Sequence, residues 1–173
     1  MTLVVQWTKE HKSKEKELKT RKPVPPVINK EIPWDYFDVA SQGDPPLVGS
    51  GGVLYLLEKL KVQVRYAPGH CTNNKAKLVA LHAILELAVN INVTILQVFG
   101  ETKMVVDWVN NKIQIKAPHL QQLLKAIRRL LNFFLVLNIT HVYRELNMEE
   151  DNLSKLALLL APGHMETEEV REE

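Results

Sequence analysis

Three acidic residues stand where an ordinary globular fold gains little from them. Asp38 lies inside a strand-like run between Phe37 and Val39, although aspartate is among the poorest strand formers. Something has to need it, either chemistry or a partner such as an arginine. Glu101 follows a β-rich run that ends at Gly100 and precedes a helical stretch. A carboxylate there also gains roughly 0.3–1 kcal/mol from the helix dipole. Asp151 opens the last helical stretch with Lys155 four residues on, so the dipole or an i, i+4 pair explains it cheaply. His141 closes another strand-like run, where histidine serves structure or proton transfer. The single cysteine, Cys71, excludes an internal disulfide and a cysteine-based zinc cluster. Any metal chemistry therefore uses oxygen ligands or histidine.

Hydrophobic period supplies the elements that position these residues. Residues 34–40, 50–57 and 62–67 read as three strands of an antiparallel meander, with Gly43-Asp44-Pro45-Pro46 as turn chemistry between the first two. Gly51 and Gly52 allow a close backbone approach or a bulge. Thr72 caps a long helix over about 73–90, and 94–99 is a short strand. A helix over 102–110, another opened by Pro118 and running to about 133, and a strand over 135–141 follow. Asn147 with Glu150 resembles a capping box for a last helix, stopped by Ala161-Pro162-Gly163. This order predicts an α/β fold: a mixed sheet with helices packed on its faces.

With 173 residues, 46% of them hydrophobic and 24% charged, and a mean hydropathy of −0.12, the chain fits one folded domain and not a disordered polymer. No apolar run approaches the roughly 20 residues of a membrane helix, and the start is too short for a signal-peptide core. The expectation is an intracellular protein in a reducing compartment, with nucleus and cytoplasm not distinguished. The net charge of +2 hides an asymmetry. Residues 1–30 carry eight Lys/Arg against three Glu, a net +5, and residues 162–173 carry one Arg against five Glu, a net −4. The expected organisation is a basic, proline-containing arm over 1–31, a domain over 32–161 and an acidic tail over 162–173. A basic arm suits either a solvated tail or contact with phosphates.

Six ordered stretches carry a resemblance: Phe37-Asp38-Val39-Ala40-Ser41-Gln42-Gly43, Gly49-Ser50-Gly51-Gly52-Val53-Leu54, Thr72-Asn73-Asn74-Lys75-Ala76-Lys77-Leu78, Val98-Phe99-Gly100-Glu101-Thr102-Lys103, His141-Val142-Tyr143-Arg144-Glu145-Leu146-Asn147 and Asp151-Asn152-Leu153-Ser154-Lys155-Leu156. Together they resemble the type 1 ribonuclease H domain, most nearly the form carried by plant retrotransposon polyproteins and reverse-transcriptase-like proteins. The resemblance spans about residues 33–160. It implies the ribonuclease H fold, a five-stranded mixed sheet of three antiparallel strands followed by two parallel ones, flanked by helices.

The resemblance further implies an endonuclease that hydrolyses the RNA strand of an RNA/DNA hybrid with two Mg²⁺ ions, Mn²⁺ being a possible substitute. Such a site gathers carboxylates from separate elements. Position by position, the family's first and last aspartates fall on Asp38 and Asp151. The second acid is Lys77 here, and the third, an aspartate, is Glu101. Asp38, Glu101 and Asp151 are the implied metal ligands. Glu101 keeps its charge with one more methylene, whereas an ammonium at 77 changes the local charge by two units. At about 4 Å and an effective dielectric near 20, a unit charge pair is worth on the order of 4 kcal/mol, so metal binding is expected to be weakened. Lys77 also opens the apolar stripe Leu81, Ile84, Ala88 at the start of its helix, where the dipole disfavours a cation. An ion pair of Lys77 with Asp38 or Asp151 would replace a metal electrostatically. By the same resemblance Ser41, Gln42, Thr72, Asn73 and Asn74 meet the nucleic-acid backbone and its 2′-hydroxyls, and His141 matches a histidine that assists proton transfer or product release. The short link over 111–117 lacks the long basic protrusion of some relatives. Three functions stay open: a hybrid-directed nuclease or its weakened descendant, a nucleic-acid-binding module without chemistry, and a domesticated protein-interaction scaffold.

Overall fold

The computed structural model describes residues 2–6, 28–57, 60–100, 103–142, 156–157 and 160–171. The expected meander is present as β2 (Trp34–Gln42), β3 (Leu47–Leu57) and β4 (Leu60–His70), paired antiparallel in that order. Then come α1 (Asn73–Asn90), β5 (Ile95–Gly100), α2 (Lys103–Val109), α3 (Pro118–Leu131) and β6 (Val136–His141). β5 pairs parallel with β2, and β6 parallel with β5. Of the last helix expected before Pro162, Leu156 and Ala157 are described and helical, and the rest lies outside the described residues.

Two further strands correct the expected count. β1 (Thr2–Gln6) runs parallel to β6, and β7 (Met165–Arg171) runs antiparallel to β4, giving a seven-stranded sheet in the order β1-β6-β5-β2-β3-β4-β7. The segments expected as arm and tail therefore each contain an edge strand. A sheet edge presents a row of unpaired N–H and C=O groups, which a terminal segment satisfies by adding a strand. Local sequence hides this, because Met165–Arg171 contains three glutamates, a residue type depleted in strands.

The sheet's two faces are unequal. On one lies α1, whose Leu78, Leu81, Ile84 and Leu85 are fully buried together with Phe37 and Leu54 of the sheet and Ile127 of α3. Each such side chain removed from water contributes roughly 1.5–3 kcal/mol. Thr72 starts α1 as expected, its Oγ1 accepting from the Lys75 backbone N–H at 3.2 Å. A second cluster, Trp34, Phe99 and Val142 with Tyr36 and Tyr55 against it, occupies the other face. There Trp34 stacks on Tyr55 at 4.9 Å and Tyr36 on Phe99 at 5.2 Å. None of the described helices is long and apolar enough to cross a membrane.

Candidate functional site

β2, β5 and β6 run in one direction, so their C-terminal ends meet at one edge of the molecule. Register aligns them: Phe37 faces Gly100, and Gly100 faces His141. The pairing of β2 with β5 stops at that row, and Asp38 is the next residue of β2. Ligands of parallel sheets bind in such crevices beyond the carboxyl ends of strands. Glycine at 100 is required by packing. A Cβ there would fall 2.6 Å from the Phe37 ring, closer than any carbon contact tolerates.

Strand alternation puts Asp38 on the face of Trp34 and Tyr36, away from α1. Its side chain is 4% exposed, and Oδ1 accepts the backbone N–H of Val39 at 2.7 Å. Across the sheet Asp38 faces Gly51, which in turn faces Arg65. Arg65 thus stands two strands away on the same face. Its guanidinium pairs with Glu166 of β7 at 2.9 Å.

The candidate nucleic-acid residues collect at the same end of the sheet. Gln42 faces Leu47, and Leu47 faces His70, so the end of β2 and the Cys71-Thr72 entry to α1 are neighbours by register. Ser41, Gln42, Thr72 and Asn73 are exposed and Asn74 is half-buried. Burial pushes the Cys71 thiol above its ordinary value, with the Lys75 ammonium acting in the opposite sense. His141 ends β6 half-buried.

Lys77 is the fifth residue of α1 and is half-buried. Among the described residues it enters no ion pair, so the expected bridge to Asp38 is not formed. The other expected partner, Asp151, lies outside the described residues, as does Glu101. Among the described residues no group of three or more His, Cys, Asp or Glu side chains is arranged to hold a metal. Of the three candidate metal ligands, Asp38 is the one that lies among the described residues.

Among the buried polar residues that sequence reasoning missed are Asp35 and Gln97. Asp35 is fully buried on the α1 face, flanked by Leu54 and Val98. The available signal was a second aspartate three positions before Asp38 in a strand that disfavours both. Gln97 is 7% exposed and clamps the backbone of Asn29 from both sides. Its Oε1 accepts from Asn29 N–H at 3.2 Å and its Nε2 donates to Asn29 C=O at 2.8 Å. That clamp fixes the chain as it enters β2, and hence the height of Asp38 in the sheet.

Comparison with known proteins agrees with this architecture. The bifunctional protein Rv2228c of Mycobacterium tuberculosis is 30% identical over 123 residues, covering 70% of this chain and 34% of that protein. Ribonuclease HI of Halobacterium salinarum is 32% identical over 124 residues, covering 71% of this chain and 62% of the relative. The chain thus spans about a third of the mycobacterial relative and under two thirds of the archaeal one. The crystal structure of the Halobacterium salinarum RNase H1 superposes with a TM-score of 0.66 at 30% identity, covering 73% of this chain and 96% of that one. LC11-RNase H1, solved in complex with an RNA/DNA hybrid, shares the fold with a TM-score of 0.63 at 24% identity, over 73% of this chain and 96% of that one. The model of the reverse transcriptase-like family matches residues 37–157, from the row that precedes Asp38 to the buried Ala157, and on that match this chain belongs to the reverse transcriptase-like family of RNase H domains.

Proposed function

We propose that this domain binds RNA/DNA hybrid at the C-terminal ends of β2, β5 and β6 and hydrolyses it poorly or not at all. The observation that carries the reading is Lys77, a half-buried residue in the opening turns of α1, the helix whose N-terminus stands beside the end of β2. A cation near the carboxylates of that crevice would oppose Mg²⁺ by like-charge repulsion. The same charge attracts the phosphates of a nucleic acid without a metal. Asp38, Glu101 and Asp151 are the remaining candidate ligands, and Mg²⁺ bound by them would activate water and stabilise the leaving oxygen. Ser41, Gln42, Thr72, Asn73 and Asn74 supply short polar groups at the height where 2′-hydroxyls distinguish RNA from DNA. His141 stands beside Gly100 at the same level for proton transfer or product release. The basic residues between Lys9 and Lys22 add salt-sensitive affinity.

The test is a hybrid cleavage assay with Mg²⁺ on the unaltered chain and on Lys77→Glu with Glu101→Asp, alongside hybrid binding with and without chelator. The expected result is chelator-insensitive binding by the unaltered chain, negligible cleavage, and cleavage gained by the double variant. Robust Mg²⁺-dependent cleavage by the unaltered chain overturns the reading. Absence of any hybrid binding favours the protein-interaction scaffold instead.

A further inference from the structure

A cationic stretch runs from the end of α2 through α3. From residue 108 to 142 the chain contains Lys112, Lys116, Lys125, Arg128 and Arg129 and not one Asp or Glu. The loop after α2 and the exposed side of α3 enclose a cleft of about 270 Å³, lined by Asn111, Ile113, Gln114, Leu124, Lys125 and Arg128 among others. The cleft is held in shape by the chain itself. Gln121 Nε2 donates to Ile115 C=O at 2.7 Å, and the Arg128 guanidinium donates to Trp108 C=O at 3.2 Å and to the Asn111 side chain. Its lining mixes cations and amides with Leu124 and with Ile113, which is 48% exposed.

A complementary surface exists on the same molecule. Among the described residues β7 is an outermost strand of the sheet, and no described strand pairs with its outer edge. Glu166, Glu168 and Glu169 are exposed along it, and Met165 at its start is 52% exposed. Glu166 pairs with the half-buried Arg65 and Glu169 with the exposed Arg171, whereas Glu168 enters no ion pair among the described residues. Pairing β7 with β7 of another copy would set glutamates against glutamates, which is disfavoured.

We propose that the cleft between the 110–117 loop and α3 seats the acidic β7 strand of a second copy of this chain. The apolar part of the lining takes Met165, and Lys125 of the cleft, with Lys116 on the adjoining loop, faces Glu168 and Glu169. A nucleic-acid backbone would also be drawn to these cations. The apolar side chains in the lining, Ile113, Ile115 and Leu124, add nothing for phosphates, however, and suit an acidic strand that carries an apolar side chain. This contact is independent of the hybrid-binding reading.

The experiment is sedimentation equilibrium of the full chain at 50 and 500 mM NaCl, with two charge-reversed variants: Lys116→Glu with Lys125→Glu, and Glu168→Lys with Glu169→Lys. All four side chains are exposed, and circular dichroism checks that each variant keeps its fold. The unaltered chain is expected to associate at low salt and to dissociate at high salt. Each variant alone is expected to be monomeric, since its cleft and strand then carry like charge. An equimolar mixture of the two restores complementarity at both surfaces and is expected to associate. A monomeric unaltered chain at low salt, or a mixture that fails to associate, overturns the proposal. So does loss of hybrid binding on reversing Lys116 and Lys125 in a chain that is monomeric throughout, which would assign the cations to nucleic acid.

Discussion

The Phe37 ring lies over Gly100 across the parallel β2–β5 pair, so that a methyl group at 100 would fall 2.6 Å from it. This contact sits directly beneath Asp38 and brings the two strands together where their pairing ends. Gly100→Ala is expected to cost about 1–3 kcal/mol, the usual penalty of overpacking a filled core, read from urea denaturation. In the Phe37→Leu background the added cost should shrink, because the smaller side chain leaves room. Equal costs in both backgrounds would show that the ring is not the obstacle.

The Gln97 clamp on Asn29 predicts a local loosening. Gln97→Leu leaves the Asn29 N–H and C=O without their partners, at about 1–3 kcal/mol for polar groups left unsatisfied. Hydrogen exchange of the Asn29 amide should accelerate more than exchange of core amides in α1. A uniform acceleration would instead mean that the whole fold had weakened.

Thr72 has two separable tasks. As the cap of α1 its hydroxyl holds the Lys75 N–H, so Thr72→Ala is expected to lose about 1 kcal/mol of stability, whereas Thr72→Ser should retain most of it. If the hydroxyl also meets the nucleic acid, hybrid affinity falls by more than the small unfolded fraction explains. Asn73→Ala, at an exposed position without a capping role, should lower hybrid affinity several-fold and leave the melting temperature unchanged. No change in affinity at either position would remove this loop from the interface.

The Cys71 thiol is pushed above its ordinary value by burial, against a smaller opposing pull from Lys75. Since the thiolate is the nucleophile, alkylation of the folded chain by iodoacetamide should titrate at higher pH than a free thiol. Lys75→Ala should move it higher still. For stability the sign follows from the same direction. The neutral thiol is favoured in the folded state, so its contribution is complete below the unfolded-state value and is lost as pH rises through the folded one. A reaction profile at or below that of a free thiol would contradict this environment.

Much of the architecture is legible in the sequence because it depends on local pattern. The apolar spacing of 73–90 sets α1, the Thr72 hydroxyl fixes its start, and the turn residues over 43–46 set the β2–β3 hairpin. Asp38 and Lys77 could be singled out because each residue type contradicts its element. The tertiary structure decided what local pattern cannot encode. Strands β1 and β7 exist as partners of distant edges, and their own residues do not announce them. The depth of Asp35 and the clamp of Gln97 on Asn29, 68 residues away, arise only when separate segments pack. The ion pair that sequence allowed between Lys77 and Asp38 is not made, since a side chain's reach is set by the placement of its helix on the sheet. Residue type gives the chemistry that is available, whereas proximity belongs to the folded chain, because contacts between distant segments form only when the sheet and its helices close on one another.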